Sequence, residues 1–425
     1  MGRLFGIIGI LVIFLIAFLM SNNKRAINIK TVGMGFLLQI LLAVFVLKTS
    51  VGKVIFGTIG VFIQKILDFS MTGAEFLFGP LANNFKMGDV FGSGAFVFAI
   101  TLIATTILMT VIVNILYYYH IMQRVVAVLS KAMYKLMDVS GAEAFSNVAS
   151  SFVGQIMAQI MIKPYVPNLT RSELLASMAG SMACISGGTM AIYVGMGVPA
   201  EYLLAASIMA APGALVMTKI VYPETGEPQT KKEVKISRRR THVNVIDAIA
   251  RGASDGFDVA MKVIGVLIAF VALIAMFDWF LIKLGSFMHQ FLHVNLAFIG
   301  LNIDHLTLKD LVGKIFSIFA YLMGVPSQDS MAVGSMLGTK FIANEMLGYI
   351  DLAAMKDVIA NKSFIIASFA LCGFGNLSSI AIQIGGIGEI APNQRKNLSR
   401  LGIRALICGT MASYMSACIA GILLG

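Results

Sequence analysis

Apolar residues gather along this chain in blocks longer than a soluble core requires. Nearly unbroken runs cover residues 4–20, 32–47, 92–118, 174–195, 202–221, 260–284, 364–386 and 401–424. A helix crosses the hydrocarbon of a bilayer in about 20 residues, so these blocks predict eight transmembrane helices. Two further stretches, 142–163 and 311–350, are partly apolar but carry polar residues at their middles. Neither makes a clean span, and both predict re-entrant hairpins that dip into protein and return to the side they left. In the stretch from Val51 to Phe69, Lys53, Gln64, Lys65 and Asp68 share one helix edge, the pattern of an amphipathic helix lying in the interface. Residues 285–312 also alternate without adding a span. The fold class is an all-α integral membrane protein.

Composition agrees, and charge adds orientation. The chain is 58% hydrophobic and 12% charged, about half the charge of a soluble domain. A net charge of +11 would suggest nucleic acid in a soluble protein, but here location decides. With the N-terminus outside, the inside loops hold Lys24, Arg25 and Lys30; Arg124, Lys131 and Lys135; Lys163 and Arg171; Lys231, Lys232, Lys235 and Arg238-Arg239-Arg240; and Arg395, Lys396, Arg400 and Arg404. The outside keeps fewer, chiefly Lys48, Lys53, Lys65, Lys86, Lys309 and Lys314. That bias follows the positive-inside rule. The arginine run then reads as a solvated loop beside the lipid, with no nucleic-acid partner. Ser21-Asn22-Asn23-Lys24-Arg25 follows the first block without a small-x-small cleavage site, which predicts a retained anchor.

The remaining chemistry-bearing residues narrow the function. Cys184, Cys372, Cys408 and Cys418 lie in apolar blocks with no C-x-x-C pair, so they read as small buried residues. Asp278, Trp279 and Lys283 suit interfacial anchors at a helix end. His120, His242, His289, His293 and His305 form no metal or catalytic cluster in the sequence. No G-x-x-x-x-G-K-[ST] loop occurs, which argues against ATP hydrolysis and leaves an ion gradient as the driving force for uphill transport.

A weak duplication points to where the chemistry lies. Residues 142–221 give hairpin, interrupted span, span, and 311–424 give the same order again. The interruptions are Ser181-Met182-Ala183-Cys184-Ile185-Ser186-Gly187-Gly188-Thr189 and Leu371-Cys372-Gly373-Phe374-Gly375-Asn376-Leu377-Ser378-Ser379. Paired Gly-interrupted segments at corresponding positions mark the substrate site of a secondary transporter, because backbone unwound at that depth needs a cavity, ligand or ion to satisfy it. Close helix packing through small residues is the plainer alternative. Beside the breaks stand Gly154-Gln155 and Gln159 in one hairpin, after Ser146, Ser150 and Ser151, and Gly324-Val325-Pro326-Ser327-Gln328-Asp329 with Ala343-Asn344-Glu345 in the other. An ionisable residue inside a membrane is a site hypothesis by default, and Glu345 is the foremost, with pairing to Lys340 as its structural alternative.

Those residues resemble the concentrative nucleoside transporter family over nearly the whole chain. The most specific parts are Ala343-Asn344-Glu345 and Cys372-Gly373-Phe374-Gly375-Asn376-Leu377-Ser378-Ser379-Ile380-Ala381; Gly154-Gln155 and Ala210-Ala211-Pro212-Gly213 support them. The resemblance implies a homotrimer in a bacterial inner membrane, working as an inverted-repeat elevator. It divides the chain into a scaffold part (1–141), a first transport repeat (142–221), a loop with a scaffold span (222–310) and a second transport repeat (311–425). It further implies that Glu345, Asn376 and Ser379 bind ribose hydroxyls, that Phe374 and Leu377 line the pocket, and that Gln155, faced by Thr189, meets the nucleobase. A carboxylate and an amide suit such groups on chemical grounds alone.

Departures from the family pattern concern the base and the ion. Where members carry a hydroxyl residue and then Glu after Gly-Gln, this chain has Ile156 and Met157, and Gln159 replaces a common Pro. The sodium site of sodium-driven members uses an Asn five residues before the Gln and a Ser in the first break; here Ser150 and Cys184 stand there. The coupling set is thus Ser150, Val153, Cys184, Ile185 and Glu345, a degenerate sodium site that favours the proton, since hard cations want oxygen. Glu345 is the default proton carrier and Asp329 the fallback. The expected partners are a nucleoside, the coupling cation and lipid, with no other cofactor. A carrier of another ribosyl or polar metabolite, or a transport-inactive receptor of the same fold, stays open; an intramembrane enzyme is the least expected, because no nucleophile–base pair or metal set appears in the sequence.

Overall fold

The computed structural model describes residues 2–83, 87, 97–230, 243–292 and 303–424. The first residues of the 92–118 block, Lys86, His242, His293 and the basic run containing Arg238-Arg239-Arg240 lie outside them. Among the described residues every regular element is a helix. The N-terminal part comprises α1 (Gly2–Leu19), α2 (Ile29–Lys48), α3 (Ser50–Phe78), α4 (Phe98–Tyr118) and α5 (Ile121–Met137). The first repeat follows as α6 (Gly141–Val153), α7 (Met157–Met161), α8 (Arg171–Ala183), α9 (Gly187–Gly195) and α10 (Ala200–Val221). After α11 (Val245–Leu292) and α12 (Leu308–Leu322), the second repeat runs α13 (Ser327–Ile342), α14 (Glu345–Ala354), α15 (Asn361–Leu371), α16 (Leu377–Ile390) and α17 (Arg395–Leu424).

Local chemistry sets where these helices begin. Ser140 with Glu143, Thr170 with Glu173 and Thr307 with Asp310 close full capping boxes at the starts of α6, α8 and α12. Asn28 caps α2 by accepting from Lys30 N and Thr31 N. Burial then sorts the helices into centre and rim. The most apolar stretch of α10 is 89% buried, whereas that of α11 is 6% buried. α10 packs on α2, α8 and α17, while α11 lies along α4. The rim helices therefore present apolar side chains outward, Val266, Ile268 and Phe280 among them, to a solvent that must be lipid or another subunit. This is an integral membrane protein.

α5 is a helix where the sequence predicts a loop, and three expected elements take a different form. The helix expected over Val51–Phe69 continues to Phe78, because Ser70 and Ala74 extend the buried stripe of Phe56, Ile63 and Ile66, and it reaches spanning length. α11 is 48 residues long and absorbs both the 260–284 block and the polar residues after it. Asp278 is consequently mid-helix, accepting from Leu308 N at 2.7 Å, and is no helix-end anchor. Finally, 311–350 is two reversals rather than one: α12 turns at Gly324 into α13, and the hairpin that matches α6–α7 is α13–α14.

Candidate functional site

Both interrupted spans come apart at corresponding points, and the two breaks touch. α8 stops at Ala183, and Ser186 caps α9 by accepting from Thr189 N at 3.3 Å. α15 stops at Leu371, and Asn376 caps α16, its Oδ1 accepting from Ser379 N at 2.9 Å. Gly373 between them has φ +108°, and a Cβ there would lie 2.4 Å from Ala183 O. Only glycine lets one break close on the other. Freed carbonyls are covered by one hydroxyl from each repeat's last helix: Ser207 on α10 donates to Ile185 O at 3.3 Å, and Ser413 on α17 to Cys372 O at 2.7 Å.

The hairpin tips close over this junction. Gly154, at φ +89°, reverses the chain after α6 and delivers Gln155, whose Nε2 donates to Ser379 Oγ at 3.0 Å. In the other hairpin the break falls at Ala343–Asn344; Asn344 caps α14 and sets Glu345 in its first turn. Glu345 is buried, and its two oxygens are both used. Oε1 accepts from Tyr193 OH at 3.0 Å and Oε2 from Asn376 Nδ2 at 3.1 Å. Tyr193 on α9 also stacks on Tyr349 of α14, with ring centroids 4.1 Å apart. A continuous polar chain thus links Tyr193, Glu345, Asn376, Ser379 and Gln155, drawn from both breaks and both tips. Among the described residues Gln155 Oε1 is buried with no hydrogen-bond partner.

Comparison with known proteins gives this junction its context. The C-terminal profile described as Na+ dependent nucleoside transporter matches residues 202–421, and the N-terminal one residues 8–81. A nucleoside recognition ("Gate") profile matches residues 99–200, which hold the first hairpin and first break. The chain belongs to the concentrative nucleoside transporter family. It is 37% identical to the nucleoside permease NupC of Helicobacter pylori, over 100% of this chain and 98% of that protein. Sodium/nucleoside cotransporter 1 of Rattus norvegicus is 32% identical over 98% of this chain and 63% of its own length. Among solved structures, CNTnw in an inward-facing substrate-bound state superposes with a TM-score of 0.92 at 38% identity, covering 100% of this chain and 98% of that one. A variant of CNTnw in an outward-facing state gives 0.92 at 38% identity over 99% and 98%.

Within the family frame, the residues singled out from the sequence gather unevenly. Glu345, Asn376, Ser379 and Gln155 form one network. Thr189 stands beside it: its hydroxyl is 2.8 Å from that of Ser186, and Ser186 packs under Gly154, but among the described residues neither hydroxyl bonds to the network. Phe374 is half-buried beside the break, and Leu377 is 49% exposed at the mouth of α16. Ile156 packs on Gly386, where a Cβ would come within 2.4 Å of it, so the position after Gln155 makes an apolar contact. Met157 points outward at 47% exposure.

The coupling set is committed to its own neighbours. Ser150 Oγ donates to Ser146 O and stands 2.9 Å from Ser181 Oγ. Ser151 Oγ lies 3.1 Å from Cys184 Sγ and 3.0 Å from Ser207 O. Val153 is half-buried at the end of α6, and Ile185 is buried with its carbonyl taken by Ser207. Asp329 does not reach the network: its carboxylate accepts from Ala360 N and Ser363 Oγ and so caps α15. Lys340 donates to carbonyls, not to Glu345. Among the described residues no group of His, Cys, Asp and Glu could hold a metal ion.

Sequence reasoning missed Tyr193, Ser207 and Ser413. Tyr193 was within reach, since Ser186, Thr189 and Tyr193 fall at i, i+3 and i+7 on one face of α9. A separate cavity of about 190 Å³ lies at the base of the first hairpin, lined by Asn28, Asp138, Glu143, Lys219 and Glu224 among others. There Lys219 Nζ meets Glu143 Oε2 at 2.6 Å and Ser172 Oγ at 2.9 Å. That cluster holds the start of α6 to α10 and does not touch the breaks.

Proposed function

We propose that this chain imports nucleosides by proton symport, and that the Tyr193–Glu345–Asn376–Ser379–Gln155 network is the substrate site. The network itself carries the reading. Its carboxylate has two oxygens at separate angles, each engaged by a neutral donor that a sugar hydroxyl can replace. Vicinal hydroxyls would donate to Glu345 while accepting from Asn376 or Ser379. Gln155 keeps a buried, unpartnered carbonyl oxygen for a donor on the base edge, and leaving such an atom unpaired favours a ligand that pairs it.

The proton is favoured over sodium because the first break offers a cation little beyond what is already spent. Ser150 and Ser151 are bonded within the protein, and Cys184 presents sulfur. Glu345 can exchange a proton without any new ligand sphere, and its protonation would remove a charge from the body that must cross the hydrocarbon. In that body we group α6–α10 and α13–α17, moving as an elevator against a trimeric scaffold containing α4 and α11, with the N-terminus outside a bacterial inner membrane. Although the resemblance assigns all of residues 1–141 to the scaffold, we group α1 and α2 with the moving body, since Gln39 of α2 donates to Ser416 Oγ of α17 at 2.8 Å. A second reading rests on Ile156 and Met157: without a carboxylate there, the substrate is another ribosyl compound. Uptake of a labelled nucleoside panel into proteoliposomes, with sodium and proton gradients imposed separately, tests both. Absence of nucleoside uptake under either gradient would refute the main reading.

A further inference from the structure

The second repeat carries a buried lysine where the first carries hydroxyls. Ser150 and Ser151 lie in the last turn of α6, and Ser150 precedes Gln155 by five residues. Lys340 lies in the last turn of α13 and precedes Glu345 by five residues. In the first repeat these hydroxyls contact Ser181 and Cys184, at the C-terminal end of α8. In the second, Lys340 Nζ donates to Ala370 O at 2.9 Å and Cys372 O at 3.2 Å, at the C-terminal end of α15. Lys340 is 1% exposed and, among the described residues, forms no salt bridge.

An ammonium buried away from water with no carboxylate in direct contact is costly, and the attraction of Glu345, which acts on Lys340 only across a gap, leaves part of that cost to be met elsewhere. Here the compensation is the open end of a helix. The last carbonyls of α15 have no intrahelical partner and carry the negative end of its dipole. Cys372 is the C-cap of α15, and Gly373, Phe374, Gly375 and Asn376 follow it directly. Cys372 O is held by Ser413 Oγ at 2.7 Å and by Lys340 Nζ at 3.2 Å, while Ala370 O, just before it, accepts from Lys340 Nζ at 2.9 Å. Lys340 therefore ties the last turn of α15 to its cap and helps set where Asn376, the donor to Glu345 Oε2, stands.

We infer that Lys340 is a tethered cation, a positioning residue that clamps the broken end of α15 in the way a bound ion would, so that the second repeat needs no ion from solution. The idea deepens the nucleoside-symport reading, because the clamp organises that same substrate site. It predicts that removing the side chain leaves a cation-seeking hollow lined by Ala370 O and Cys372 O.

The test compares Lys340→Ala, Lys340→Met and Lys340→Arg with the wild type, measuring nucleoside uptake in proteoliposomes and Tm in detergent. Each is measured in n-propylammonium chloride and in choline chloride at equal concentration. Lys340→Ala and Lys340→Met should lose uptake by roughly tenfold or more, the cost of stranding Ala370 O and leaving Cys372 O to Ser413 alone, and Lys340→Arg should lose least. Propylammonium should raise the Tm of Lys340→Ala and recover part of its uptake, with no such effect on Lys340→Met, the wild type or any sample in choline. A Lys340→Met protein that transports at the wild-type rate, or a Lys340→Ala Tm indifferent to propylammonium, would overturn the proposal. If Lys340→Ala does not fold, Lys340→Met decides: folded and inactive supports the clamp, folded and active refutes it. Failure of all three to fold, Lys340→Arg included, means that shape rather than charge matters and also refutes it. Should the wild type take up no nucleoside, the functional reading fails while the Tm comparison still judges the clamp.

Discussion

Glu345→Gln separates the charge of the central carboxylate from its size. In the protein as it stands, both oxygens accept hydrogen bonds, from Tyr193 OH and Asn376 Nδ2. The amide keeps one acceptor and turns the other position into a donor that confronts Asn376 or Tyr193. A hydrogen bond to a charged group is worth about 1.5–3 kcal/mol, so losing one and weakening the other costs the bound state about 2–4 kcal/mol. At about 1.4 kcal/mol per tenfold, nucleoside affinity should fall roughly 30- to 700-fold. The fold should survive, because removing a buried charge lowers its desolvation cost while the volume is kept. The assay is labelled nucleoside uptake and equilibrium binding on purified protein, with Tm as the control for folding. Asn376→Ala and Ser379→Ala should weaken nucleosides more than free bases, since both are assigned to the sugar. Uptake by Glu345→Gln at the normal rate and normal KM would refute the assignment of the site.

Three further outcomes follow from the same structure. Uptake at fixed interior pH should rise as the outside pH falls and stay level when choline replaces sodium; Ser150→Asn combined with Cys184→Ser should then add a sodium dependence, and a steep sodium requirement in the wild type would overturn the proton reading. Tyr117 OH on α4 touches Met161 Sδ at 3.5 Å in the first hairpin, so Tyr117→Cys with Met161→Cys, joined by a cleavable bis-methanethiosulfonate linker, should stop uptake until reduced. Free transport in the linked protein would argue for local gating in place of an elevator. Glu143→Ala strips the buried ammonium of Lys219 of its partner at 2.6 Å, which should cost about 3–5 kcal/mol and appear as a lowered Tm, whereas an unchanged Tm would show that Glu224 and Ser172 suffice.

Sequence alone determined the solvent, most of the long apolar segments and the two breaks, because each is written in contiguous residues. Lipid demands long apolar runs, and a break needs small and hydroxyl residues where Leu or Ile would otherwise stand, as at Ser186-Gly187-Gly188 and Gly373-Phe374-Gly375-Asn376. Glu345, Asn376, Ser379 and Gln155 were legible from motif resemblance, and a lone acid in an apolar setting already marked the first of them. α5 escaped notice because Arg124, Lys131 and Lys135 drew it toward a loop, although Val126, Ser130, Met133 and Met137 form a buried helical stripe. Partnerships between distant segments were decided only by the tertiary structure. Along the chain Lys340 is the structural partner expected for Glu345, and Asp329 the fallback proton carrier. Folding instead sends one to the carbonyls that end α15 and the other to the amide and hydroxyl that begin it. Tyr193 reaches Glu345 from 152 residues away, and Gly373 meets Ala183 O only because the two breaks cross. The spacing of residues along one helix face is a local property, and a sequence carries it; which face meets which depends on packing the whole bundle, where every freed backbone group must find its partner in three dimensions.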